Sequence, residues 1–122
     1  MSANTLTTFD LARFCQAVEG RDSETQLAMY APDATVTIVD RLTPPGAPRV
    51  LSGRDQIASW VEDVSGREMS HAVGHGVVDE HGAAFSEACR YPDGTNVMCM
   101  TVLRLADGRI ADQTVLQAWD ES

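Results

Sequence analysis

His71 and His75 stand four residues apart in Ser70-His-Ala-Val-Gly-His75, a stretch that reads as a β-strand. That spacing puts both imidazoles on one side of a strand, about 13 Å apart. Val73 and Val77 share the face, while Ala72, Gly74 and Gly76 lie opposite. The bulkier face is expected to point inward, so both rings would line an interior. Each could donate or accept a proton near neutral pH. They are too distant to grip one ion, whose ligands lie within about 2.1 Å of it. No metal and no cofactor is expected. His81 falls in a turn and is expected at the surface. No GxSxG, Walker loop, Rossmann glycine set or HExxH occurs. Serine nucleophiles, phosphoryl transfer and nicotinamide chemistry therefore lack their usual carriers.

The elements that must place these rings fall into helices first and strands after. Leu11, Phe14, Cys15 and Val18 form one helix face, and Gly20 ends that helix. Ser23-x-x-Gln26 is a capping-box pattern for a short second helix carrying Leu27, Ala28 and Tyr30, which stops before Pro32. Residues 34–40 are β-branched and alternating, with Val36, Ile38 and Asp40 on one face. A proline-rich loop covers 44–48. Ser52 is expected to cap a third helix with Ile57, Trp60, Val61 and Val64 inward. Strands near 68–78, 83–91, 95–105 and 109–119 are separated by hairpin signals, including Pro92-Asp-Gly94 and Asp107-Gly108.

The 122 residues argue for one domain, 1–122, long enough to bury a core without staples. A formal charge of −9 disfavours nucleic acid and anionic membranes as partners. Cys15, Cys89 and Cys99 are odd in number and lack CxxC spacing, so they read as core thiols in a reducing compartment. Residues 1–8 are polar without a basic leader region, and no apolar run approaches a membrane span. A cytoplasmic location is expected. On strand 95–105, Val97, Cys99, Thr101 and Leu103 occupy one face and Met98, Met100 and Val102 the other. With both faces apolar, a homodimer through the outer sheet face is expected.

Tyr30-Ala-Pro-Asp-Ala-Thr-Val36, Gly53-Arg-Asp-Gln-Ile-Ala58, Ser70–His75 and Asp107-Gly-Arg-Ile110 resemble the SnoaL-like families of the nuclear transport factor two-like superfamily. The resemblance covers nearly the whole chain. It implies an α+β fold: a cone-shaped barrel in which a curved, mixed or antiparallel sheet wraps three N-terminal helices around a deep pocket. The fold does not specify an activity. Within the superfamily, the first two segments look most like ketosteroid isomerase. Its general base aligns with Ile38, its oxyanion tyrosine with Phe14 and its oxyanion aspartic acid with Thr101, so its usual catalytic set is missing. Asp40, two residues past Ile38, would face the same pocket mouth. The same alignment lines the pocket with Arg90, Gln113 and Gln117. A second resemblance, to scytalone dehydratase, matches a strand histidine to His71 and an acidic group to Glu19. Where that family has its second histidine, this chain has Ser86, Glu87 and Arg90.

The expected function is a cofactor-independent isomerase, dehydratase or cyclase acting on a small apolar molecule that bears a carbonyl or hydroxyl. His71 is the principal acid/base, with Glu19, Asp40 and His75 as further candidates. Arg90, Thr101, Gln113 and Gln117 would hold the substrate's oxygen, and Tyr30 and Trp60 its hydrocarbon body. A non-catalytic binder or dimeric assembly module would instead close its pocket with side chains and leave Glu19 and Asp40 in solvent. Epoxide hydrolysis would need Arg90, Asp40 and Asp112 together in the pocket.

Overall fold

The computed structural model describes residues 9–120. Helix α1 spans Leu11–Glu19 and starts where the Asp10 carboxylate accepts the Arg13 N–H at 3.0 Å. Helix α2 spans Ser23–Ala28. Its cap is Asp22, one residue earlier than the capping-box pattern suggests; its carboxylate takes both the N–H and the hydroxyl of Thr25. Strand β1 follows directly at Tyr30–Val39, so Tyr30 is a strand residue and not the end of the helix. Pro32 lies where the pairing of β1 slips between Tyr30 and Thr35, a place where a missing N–H costs no ladder bond.

Strand β2, Arg49–Ser52, is too short and too close to the prolines for its periodicity to register. Helix α3 spans Arg54–Ser65 and is entered through Gly53 at φ 85°, in place of the expected Ser52 cap. That left-handed backbone suits glycine. Strands β3 (Ser70–Val78), β4 (Gly82–Arg90), β5 (Asn96–Ala106) and β6 (Arg109–Trp119) then form a meander. Asp107 and Gly108 both have positive φ, the signature of the tight Asp-Gly hairpin.

One six-stranded, curved, unclosed sheet results, in the order β2-β1-β6-β5-β4-β3. Only β1 against β6 is parallel. The concave face packs on the helices. Phe14, Tyr30, Val36, Ile38, Ile57, Leu103 and Ile110 are the largest fully buried side chains of the core between them. Along β5 burial alternates strictly: Val97, Cys99, Thr101 and Leu103 are inside, while Met98, Met100 and Val102 are each more than half exposed on the convex face.

Strand β3 breaks this alternation. Val73 opposes Glu87 and Gly76 opposes Phe85, so three steps on β3 match two on β4. That is a β-bulge, and the extra residue reverses which side faces inward. His71 and Val73 face the interior, whereas His75 and Val77 are exposed.

Ile38 is 1% exposed in the core between sheet and helices. Replacing Ile38 with Ala is expected to lower unfolding stability by about 2–4 kcal/mol. The check is urea denaturation, with a lower midpoint and an unchanged slope.

Candidate active site

The meander places His71 of β3 directly opposite Cys89 of β4. Glu87 lies two residues back along β4 and so shares the face of Cys89. The three side chains converge. His71 Nδ1 is 2.5 Å from Glu87 Oε2, Cys89 Sγ is 3.0 Å from the same carboxylate oxygen, and Cys89 Sγ is 3.3 Å from Nδ1. The His71 side chain is 4% exposed and that of Glu87 12%. A buried carboxylate is tolerated only when donors satisfy it. Here an imidazole N–H and a thiol do so. Donation from Nδ1 leaves Nε2 as the ring nitrogen that Glu87 does not engage. No described residue bonds Nε2.

These groups line a cavity of about 90 Å³ between α1, α3 and the concave sheet. Phe14, Tyr30 and Phe85, packed edge to face at 6.1 Å between ring centroids, form part of its wall with Trp60. Tyr30 is fully buried, and its hydroxyl donates to Gln113 Oε1, leaving the Gln113 amide N–H group as a donor. Burial holds the Tyr30 phenol above its usual pKa, against the opposing bond to Gln113, so it stays a neutral donor. Thr101 and Gln117 also face the cavity, and Gln117 accepts the Trp119 ring N–H at 3.0 Å.

The rim is a ladder of cations and aromatics. Arg41 sits 4.2 Å above the Trp119 ring, Trp119 stacks on Tyr91, and the Tyr91 hydroxyl accepts from Arg67 at 2.9 Å. Arg67 in turn pairs with Asp63 at 2.6 Å.

Of the residues singled out from sequence, His71, Tyr30, Trp60, Thr101, Gln113 and Gln117 meet at the cavity. Four others lie elsewhere. His75 is exposed because of the bulge. Glu19 is no partner of His71; its carboxylate accepts the Val73 N–H at 2.8 Å and ties the end of α1 to the edge strand. Asp40 lies past the end of β1 and folds onto its own turn, accepting from Leu42 N and from Thr43 N and Oγ1. Burial pushes its pKa up, but those bonds and the charge of Arg49 outweigh this and hold it below the usual carboxylate value. Arg90 follows inward-facing Cys89 and so points outward, exposed beside a shallow depression with Arg21 and Tyr91. With Arg90 and Asp40 outside, and Asp112 likewise not lining the cavity, the Asp-Arg-Asp arrangement for epoxide hydrolysis does not assemble.

Sequence reasoning missed Glu87 and Cys89 as site residues. Their signal was present: Ala83, Phe85, Glu87 and Cys89 form one alternating face, and an acid on such a face needs a partner. Arg67 and Tyr91, at element ends, carried no periodic signal.

The chain belongs to the SnoaL-like domain family, whose model matches residues 11–113. Its fold is similar to that of an NTF2-like protein of unknown function from Mesorhizobium loti. The identity is 16% over 88% of this chain and 87% of that one, with a TM-score of 0.76. It is similar also to a candidate ketosteroid isomerase from Kribbella flavida (19%, 91% and 75%, TM-score 0.73). A third likeness is to the epoxide hydrolase/cyclase-like enzyme SalBIII, which has a role in pyran ring formation in the polyether salinomycin (23%, 88% and 87%, TM-score 0.68). At these identities the likeness is one of fold. No curated protein matches the chain in sequence. Among the described residues, no helix is long and apolar enough to cross a membrane.

The thiols supply a pH-dependent test. Burial, then Glu19 and Glu87, push Cys15 from 9.0 up to about 11. Cys89 is raised too, by a thiol hydrogen bond with Cys99, by burial and by Glu87. A folded value above the unfolded one means this contribution to stability is intact below pH 9.0 and lost as pH climbs toward about 11. At pH 8 the folded Cys15 should react with a chromogenic disulfide roughly a hundredfold more slowly than in denaturant. Equal rates in the two states would contradict the burial described.

Proposed function

We propose that the chain is a cofactor-independent acid–base enzyme. It moves a proton beside a carbonyl or hydroxyl of a small, mostly apolar molecule, as an isomerase, dehydratase or cyclase does. The observation that carries this reading is the buried His71–Glu87 pair at 2.5 Å, facing an aromatic-walled cavity. Glu87 orients the ring and stabilises the imidazolium formed when Nε2 takes a proton. The role first assigned to Glu19 thus falls to Glu87. The Gln113 amide, Thr101 and Gln117 are the polar groups that would fix the substrate's oxygen, and Phe14, Tyr30 and Trp60 would hold its hydrocarbon part.

A second reading, a non-catalytic small-molecule binder, draws on two observations. The cavity of about 90 Å³ is well below the roughly 300–1,000 Å³ of common small-molecule pockets. Glu19 and Asp40 also lie outside it. The acid–base reading is preferred because binding alone gives no reason to bury a charge-capable pair. The small volume restricts the guest to a compact molecule, or to one that displaces the Tyr91–Trp119 stack.

Solvent deuterium exchange separates the two. Small ketones and hydroxyketones incubated with the protein in D₂O should exchange carbon-bound protons faster than without it. His71→Asn should lower that rate by about 10² to 10⁴, and Glu87→Gln by about 10-fold or more. No acceleration of any compound, or an unaltered rate in His71→Asn, favours the binder.

The convex face supports a homodimer. Met100 pairs with Leu116 and Met98 with Ala118, giving an exposed apolar strip along β5 and β6. Three free thiols suit a reducing compartment such as the cytoplasm. The wild-type chain should sediment as a dimer, and Met100→Glu as a folded monomer. A monomeric wild type would remove this assembly.

A further inference from the structure

Proton transfer through His71 and Glu87 has no need of the thiol beside them. Alanine or serine at position 89 would fill the strand as well, yet the chain places a soft sulfur donor 3.3 Å from Nδ1 and 3.0 Å from the carboxylate. The three potential ligand atoms lie within 4.8 Å of one another, and all three side chains face the cavity. We propose that His71, Glu87 and Cys89 form a binding site for a zinc-like divalent cation, with its remaining coordination position turned to the cavity.

Zinc binds nitrogen and oxygen at about 2.0–2.1 Å and sulfur at about 2.3 Å. An ion at those distances from all three atoms sits about 1.2 Å off the plane they define. Tetrahedral spacing would open the present separations of 2.5, 3.0 and 3.3 Å by less than about 1 Å. Rotation about the side chains achieves that without moving the strands. The donor set of one sulfur, one imidazole and one carboxylate selects a borderline-soft ion over magnesium or calcium. Three protein ligands with one open position is also the pattern of reactive, as opposed to structural, zinc. The spaced pair His71 and His75 has no part in it, since the bulge sends His75 outside.

Binding moves two protons. The imidazole proton passes from Nδ1 to Nε2, and the thiol proton leaves Cys89 for solvent. A protonated Nε2 cannot act as a base. The loaded protein is therefore switched off for the proton transfer described above. That consequence rests on the acid–base reading, but the binding itself does not.

Chelator-stripped full-length protein titrated with cobalt(II) should take up one equivalent and show thiolate-to-cobalt absorption in the near ultraviolet, which zinc then abolishes by displacement. Cys89→Ala should lose the absorption, and Cys15→Ser should keep it. His71→Gln should retain some absorption but need at least about tenfold more cobalt. Circular dichroism checks that each variant is folded; should Cys89→Ala be unfolded, the His71→Gln titration decides. Absence of the absorption in folded wild type, its persistence in folded Cys89→Ala, or an unshifted His71→Gln titration overturns the site. No substrate enters this measurement, so it stands or falls separately from deuterium exchange.

Discussion

A carboxylate in an apolar interior must find donors or be protonated, and Glu87 finds two on its own face of the sheet. Its partners are fixed by strand register: His71 opposes Cys89, and Cys89 lies two residues beyond Glu87. A one-residue slip of β3 against β4 would turn the imidazole out to solvent and strand the carboxylate. The cost of an unpaired buried charge, several kcal/mol, therefore weighs against every misregister. The polar cluster specifies the pairing of the edge strand more sharply than its small residues Ala72, Gly74 and Gly76 could.

Being the edge strand, β3 has one neighbour only, and three features hold it. The bulge between Val73 and Gly76 bends it over α1, where Gly76 approaches the Leu11 side chain so closely that an added Cβ would lie 3.1 Å from it. Glu19, from the end of α1, caps the Val73 N–H. The His71–Glu87 contact secures the other half. A residue that looked like a catalytic acid thus serves as a strut between helix and strand, and the strut helps hold the strand that bears His71.

Much of this was legible in the chain. Strict alternation along β5 gave both its faces, and Asp107-Gly108 marked its hairpin, because those signals are local. Alternation failed at His75, since a bulge depends on how a neighbouring strand is matched and leaves no mark on periodicity. It failed again at Asp40, where the strand ends one residue earlier and the side chain turns to its own backbone. Glu87 illustrates a different loss. Its face was readable, but its partner came from another strand, sixteen residues back in the chain, and only the register joins them. Tyr30 was misplaced on a helix because Pro32 usually ends one; here the same proline sits at a slip between parallel strands, where its missing N–H is harmless.

The positions matching the isomerase set hold Phe14, Ile38 and Thr101, which puts two hydrophobic groups where a base and a donor would stand. Phe14 and Thr101 still line the cavity, whereas Ile38 belongs to the core. The clustered ionisable groups of this chain stand on β3 and β4. A cavity of this kind has walls on several strands, and any inward position near its rim can carry a titratable side chain if a neighbour satisfies it. What limits the choice is that the partner must be a cross-strand neighbour on the same face. His71, Glu87 and Cys89 meet that condition, while Glu19, Asp40, His75 and Arg90 do not. The buried polar cluster of this chain therefore follows from the pairing of its edge strand, and not from the segments in which its resemblance to ketosteroid isomerase is strongest.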